Sequence, residues 1–538
     1  MLLLIAVAVI VLPALTYYLT TAFFFQSAKK DAAGKRPPTI PYLVPGVFHT
    51  FSIAAEGPQK FFARLFKEFG SFAPFTVRAG LQTFVVLREP RHIKVVIEAA
   101  KPSEQVSIVR HEYEGLFKVP KRQASVPQEF SDPAKYNEKV NNAFTTPIRK
   151  HLTGESMATI GERYASKLSS NMDEKMFQVG TWTQIEDFWS FFHQVLTRCL
   201  VETLFGPIIF RLYPKFVKDY WTFEKALESY VPGLSWLIGA TAYEQPRDAL
   251  LEGIEKWLRA NQSGSNTANA DTENLDWDDH RGSPFIQELT SLLSEFISEE
   301  LRPVELLKII HCANGKLVPS TIWSLIEVLR NPQLANQMND IVSKNPSQKL
   351  GTYGVTEIAA LPLVKSLYHE TNRLRMAQYM IYPAKAHDIL LDREYILPKG
   401  RLPIAFSHDV ALDNKSWAKA RPRTVEKPLE EFWGGRFLIP DKPKKRGGFE
   451  SGEFSLEGLD LLAPAFGGHQ NVGLGSEFAQ TIQAATLAVL LNEWEIQLCD
   501  PEFTDAVMPT MSDKAFGSVM PLQPVAVRIR KRKPNRTQ

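Results

Sequence analysis

The stretch FGGHQNVGLGSEFA, from Phe466 to Ala479, is glycine-rich and leads straight into a long apolar run, QTIQAATLAVLLNEWEIQL. Glycines let a backbone approach a ligand closely, so such a loop at the mouth of a buried helix is suited to holding something. It carries no cysteine, and so no thiolate to grip a metal. Upstream, LPLVKSLYHETNRLRM reads as a helix on which Glu370 and Arg373 share a face at i and i+3 and can pair. In FWGGRFL, Arg436 sits between aromatic residues, where its guanidinium would reach a buried Glu370.

The elements that must position these residues read as mostly helical. From about residue 57 to 380 apolar residues recur at helical spacing, as in PQKFFARLFKEFG and IEDFWSFFHQVLTRCLVETLFG. FVVLREP interrupts as a strand. After residue 380 the texture turns to strand and loop, as in YILPKGRLPIAF, before one more long helix follows the glycine-rich loop. The end, VAVRIRKRK, alternates Val525, Val527 and Ile529 with polar positions and reads as an edge strand with a basic tail. Residues 260–283 are polar without an apolar period and read as a flexible surface loop. The chain has 538 residues, 44% hydrophobic and 22% charged, enough for a large core. Its net charge of +3 is close to neutral for this size and implies no nucleic-acid partner. Cys199, Cys312 and Cys499 form no C-x-x-C pair, which argues against a disulfide scaffold or structural zinc.

The N-terminus differs in kind. MLLLIAVAVIVLPALTYYLTTAFFF lies ahead of the first charged side chain, Lys29. As a helix it would be roughly 37 Å long, enough to cross a bilayer. The expectation is a transmembrane anchor over residues 1–25, with Lys29, Lys30, Lys35 and Arg36 kept in the cytosol by the positive-inside rule. Residues 26–48 are basic and proline-rich: Pro37, Pro38, Pro41 and Pro45 stiffen a hinge, while Ile40, Tyr42, Leu43 and Val44 suit docking on the body. Residues 49–538 would form one catalytic-type domain facing the cytosol.

In order along the chain stand the anchor, the hinge, NPQLANQMNDIV, LPLVKSLYHETNRLR, YILPKG, SHDVALDNKSW, GGRFL, FGGHQNVGLGSEFA and VAVRIRKR. This series resembles the cytochrome P-450 family, in its membrane-anchored eukaryotic form, over nearly the whole chain. ANGKLVPSTIWSLIEVLRNP resembles the branch containing prostacyclin synthase and sterol hydroxylases, in which a proline and a tryptophan, here Pro319 and Trp323, follow the oxygen-side helix segment. The resemblance implies a mainly α fold with smaller β-sheet regions and a lipophilic small-molecule substrate. It also implies haem, a reductase partner if haem is bound, and a single-pass place in the endoplasmic reticulum membrane. Glu370, Arg373 and Arg436 would be the structural network beneath the loop.

The departures bear on chemistry. The family's loop runs Phe-Gly-x-Gly-x-(His/Arg)-x-Cys-x-Gly-Arg-x-Phe-Ala. Laid on without a gap, Phe466, Gly467, Gly475, Phe478 and Ala479 match, but the axial cysteine position is Gly473. A thiolate binds the iron and favours O–O cleavage; glycine does neither. His469 is either a replacement iron ligand or a solvated loop histidine. The family's oxygen-side pair of acid or amide and threonine falls on Lys316 and Leu317. Leucine cannot relay a proton; Lys316 either puts a positive charge into the pocket or snorkels to solvent.

The retained scaffold without its oxygen chemistry reads as a P-450-fold biosynthetic enzyme that cyclises, isomerises or dehydrates a lipophilic substrate of sterol, terpenoid, fatty-acid-derived or polyketide type. Lys316 would be its placed charge. Two alternatives stay open: a haem-dependent monooxygenase of a secondary-metabolite or sterol pathway, and a non-catalytic scaffold that associates with pathway enzymes.

Overall fold

A computed structural model describes residues 2–29, 34–99, 117, 133–172, 177, 179–227, 240–263, 276–344, 352–381, 387–440, 452–459, 462 and 474–532. The fold is mainly α with small sheets. The helices that matter for the site are α1 (Leu2–Lys29), α2 (Gly154–Met172), α3 (Phe188–Phe205), α4 (Phe216–Leu227), α5 (Ala240–Ser263), α6 (Arg302–Asn314), α7 (Leu317–Arg330), α8 (Pro362–Arg375) and α9 (Ser476–Glu493). The strands of the two larger sheets are β1 (Phe75–Ala79), β2 (Gln82–Leu87), β3 (Thr183–Ile185), β4 (Tyr379–Ile381), β5 (Leu402–Phe406), β6 (Trp494–Leu498) and β7 (Val527–Lys531).

The centre of the main core is a group of helices in which α9 packs on α2 and α7, and α3 packs on α2 and α7. Every residue of α9 from Thr481 to Leu491 is buried. That follows from its composition: a helix that is apolar all round is stable only when covered on every side. The start of α3 is set by Asp187, whose carboxylate accepts from the Ser190 amide at 3.0 Å and satisfies one of the free donors of the first turn. α7 is locked to α8 by buried side-chain hydrogen bonds, Ser320 to Asn372 at 2.7 Å and Ser324 with Thr371 at 2.9 Å.

A four-stranded sheet, order β1-β2-β5-β4, carries a second, smaller core. Its β2–β5 pairing is parallel and the others antiparallel. The hinge runs beside β1: Ile40 N donates to Thr76 O at 3.0 Å and Thr76 N to Pro38 O at 2.8 Å. The final strand does not lie at an edge, as its alternation suggested. β7 is the middle of the sheet β6-β7-β3, paired on both sides, and Val525, Val527 and Ile529 are buried. Its second partner, β3, comes from far upstream, where no local pattern announces it.

The expected anchor is also corrected. Among the described residues no helix is long and apolar enough to cross a membrane. A transmembrane span over residues 1–25, the membrane as a partner through it, and the single-pass endoplasmic reticulum placement are therefore withdrawn. The chain does form α1, but Pro13 and, in its later half, Thr16, Thr20, Thr21 and Gln26 interrupt the apolar run. That half is tied to the body. Tyr42 N donates to Thr20 Oγ1 at 3.2 Å, and the Phe24 ring meets Phe69 at 4.9 Å. In the polar segment at 260–283, residues 260–263 complete α5, and 264–275 lie outside the described residues. Residues 276–283 are held in place: Trp277 Nε1 donates to Thr203 O at 2.9 Å, and Gln287 Nε2 to Asp276 O at 2.6 Å.

Candidate functional site

The structure brings Glu370, Arg373 and Arg436 together in the fully buried interior. Glu370 accepts from Arg373 Nε at 2.8 Å and Nη2 at 2.9 Å, from Arg436 Nε at 2.9 Å, and from the Trp433 amide at 2.9 Å. Both guanidiniums spend their remaining donors on backbone carbonyls. Arg373 reaches Ala411 and Leu429; Arg436 reaches Thr424, Lys427, Pro428 and Glu431. Burial alone would raise the Glu370 carboxyl, but the two arginines hold it below its ordinary value. This network fastens the chain at 411–431, a short helix with its flanking turns, to α8.

The second cluster lies where one long helical run is broken. α6 ends at Asn314, Gly315 and Lys316 form a turn, and α7 starts at Leu317. Lys316 Nζ donates to Gln378 Oε1 at 2.6 Å, linking the break to the chain leaving α8. His311 Nδ1 lies 2.5 Å from Glu224 Oε1 of α4. Gly315 sits so close to this pair that an added Cβ would come within 3.1 Å of Glu224 Oε2 and His311 Nδ1. Cys312 is one turn before Lys316, Tyr220 one turn before Glu224, and the Phe117 ring touches those of Phe223 and His311.

Lys316 is an exposed residue at the break, although protein atoms crowd around its stem. Burial lowers the pKa of its ammonium, and Cys312 and Glu224 oppose that; the remaining exposure tempers the shift. Burial pushes the Cys312 thiol up to about 11, against the pull of Lys316. Burial and the nearby Glu224 raise Tyr220 well above the ordinary phenol value. The cluster thus combines a fixed cation, a carboxylate–imidazole pair and aromatic walls.

Phe466, Gly467, His469 and Gly473 lie outside the described residues. Gly475 is the cap of α9 at φ +96° and ψ 157°, a backbone conformation that side chains disfavour, and among the described residues no atom lies within 4 Å of a built Cβ. The sequence reading missed Glu224, His311 and Gln378. The only local signal was the pair His311–Cys312, polar interruptions in the apolar run KIIHCANGKLV.

No family model matches the chain. Curated proteins do. The chain is 26% identical to the cytochrome P-450 monooxygenase fsoE of Humicola fuscoatra, over 94% of this chain and 90% of that protein. It is 25% identical to the cytochrome P-450 monooxygenase efuG of Hormonema carpetanum, over 98% and 96%. Prostacyclin synthase of Rattus norvegicus is 24% identical over 44% of this chain and 46% of that enzyme. With the helical core and the order of motifs, these similarities support membership in the cytochrome P-450 superfamily.

The superfamily implies haem, and the chain's own thiols bear on how it would be held. Cys199 is buried in α3, accepts a hydrogen bond from Asn171 Nδ2 at 3.2 Å, and is pushed up to about 12 by burial. Cys312 lies on α6 beside Glu224 and Lys316. Cys499 is exposed just after β6, its amide bonded to Ala526 O at 3.0 Å. None belongs to the segment that leads into α9.

Proposed function

We propose that the chain is a P-450-fold biosynthetic enzyme that rearranges a lipophilic small molecule by cyclisation, isomerisation or dehydration, rather than by thiolate-haem oxygenation. The observation that carries this reading is the Lys316–Gln378 contact at the helix break, grouped with Glu224 and His311, in a chain with no cysteine between Leu462 and α9. A non-redox rearrangement needs a shaped, dry pocket, a charge that stabilises a developing anion, and a group that takes a proton at one carbon and returns it at another. Phe117 and Phe223 supply apolar wall. Lys316 supplies the charge. Glu224 and His311, already sharing a hydrogen bond, supply the proton acceptor and donor. Electrons balance without an external reductant, because the proton removed is the proton returned or leaves with water.

The second reading, a haem-dependent monooxygenase served by a reductase, is favoured by the similarity to the monooxygenases fsoE and efuG, which match nearly end to end. An absorption spectrum with iron analysis of the full chain, expressed with haem precursor, separates the two. Folded protein without a Soret band, or with one lacking the thiolate-type ferrous–CO shift, supports rearrangement. A thiolate-type ferrous–CO spectrum overturns it.

A further inference from the structure

A different cluster lies on the sheet and shares no residue with the helix break. Antiparallel register sets Arg78 of β1 opposite Thr83 of β2. The parallel pairing of β2 with β5, Phe84 opposite Leu402, brings Arg401 level with Thr83 at the entry to β5. The hinge adds Arg36, because residues 38 and 40 bond to Thr76 on β1. Arg36, Arg78 and Arg401, with the hydroxyls of Thr39 and Thr83, line one cleft of about 230 Å³. No carboxylate lines it. Among the described residues none of the three guanidiniums has an ion-pair or hydrogen-bond partner, and the nearby Glu394 is engaged by Lys35 at 3.3 Å. Arg78 is held in place by stacking over the Phe48 ring at 3.7 Å.

Three like charges gathered at one cleft repel one another, and among the described residues no carboxylate pairs with them. A carboxylate offers two oxygens, which one arginine fork satisfies; three forks and two hydroxyls suit a group with more acceptor oxygens. We propose that this cleft binds a phosphate-bearing ligand, either free or as a lipid headgroup. The site stands independently of the rearrangement reading, so neither falls with the other.

The test is calorimetric titration of the full chain with inorganic pyrophosphate at fixed ionic strength. Wild type is compared with Arg401→Gln, with Arg78→Gln/Arg401→Gln, and with Arg211→Gln, which removes an exposed charge elsewhere. Saturable binding is expected in wild type and Arg211→Gln, weakened about tenfold by Arg401→Gln and lost in the double variant. Arg401 is exposed at a loop, so that variant keeps the fold, and an unchanged ligand-free melting temperature confirms it. Absence of saturable binding by wild type, or equal binding by the double variant, overturns the proposal. Phosphatidylcholine vesicles with and without phosphatidic acid distinguish the source. Capture by the acidic vesicles that pyrophosphate reverses makes the ligand a lipid headgroup; pyrophosphate binding without vesicle capture makes it a free phosphate compound. Capture that the double variant retains counts against the cleft.

Discussion

Lys316 Nζ and Gln378 Oε1 are 2.6 Å apart, so the gap between α6 and α7 is bridged to the strand region that follows α8. The amide oxygen fixes the ammonium at one place beside the helix break. A lysine on a free stem would instead sample solvent.

Lys316→Met keeps the length of the side chain and removes donor and charge. The fold should lose about 1 kcal/mol at most, the net worth of one such bond. Product formed by a host carrying the pathway should fall about a hundredfold, as when a fixed charge-stabilising donor is deleted. Chromatography of host extracts reads the product, and a thermal melt reads the fold. Undiminished product removes Lys316 from the mechanism.

Glu370→Gln leaves Arg373 and Arg436 buried without their carboxylate. The expected cost is about 3–5 kcal/mol, measured by urea unfolding of wild type and variant. The wild-type pair also has a pH signature. The folded carboxyl is held below its ordinary value of 4.5, so its stabilisation is full above that pH and is lost as pH falls through the lower folded value. An acid midpoint unmoved by the substitution contradicts this.

His369 tests acid sensitivity at a milder pH. Its ring stacks on Phe454 at 5.1 Å, and burial pushes its pKa down to about 4 from 6.5. The unfolded imidazole takes a proton below 6.5 while the folded one does not until about 4. Stability is therefore full above 6.5 and declines as pH falls between these values, by up to about 1.4 kcal/mol per pH unit. His369→Phe should flatten that part of the stability–pH curve; a parallel curve would refute the assignment.

Gly475→Ala isolates a backbone effect, because no atom of the described residues lies within 4 Å of the added Cβ. At φ +96° and ψ 157° the cost should be about 1–3 kcal/mol. Gly475→Asn should do no better, since this ψ lies outside the left-handed region that asparagine tolerates. Equal stability of the alanine variant would show that α9 can start another way.

The buried network was legible because its logic is local and ordered. Glu370 and Arg373 stand one turn apart, and Arg436 follows in an aromatic, glycine-flanked setting. Glu224, His311 and Gln378 were not legible. They are ordinary residue types on three distant segments, and only the His311–Glu224 and Lys316–Gln378 contacts bring them to the helix break. The reading of α1 failed differently. An apolar count does not show that Thr20 bonds Tyr42 or that Phe24 rests on Phe69. The last strand was misread because one of its two partners is remote in sequence.

The two bonds that clamp α7 to α8, Ser320–Asn372 and Ser324–Thr371, make one half of the broken helix a fixed jamb. α6 is joined instead to α4 through His311 and Glu224, and packs directly on α5. The turn at Gly315 and Lys316 is therefore a seam between two differently anchored helix groups. A substitution there would act on how those groups meet and leave the carboxylate network intact.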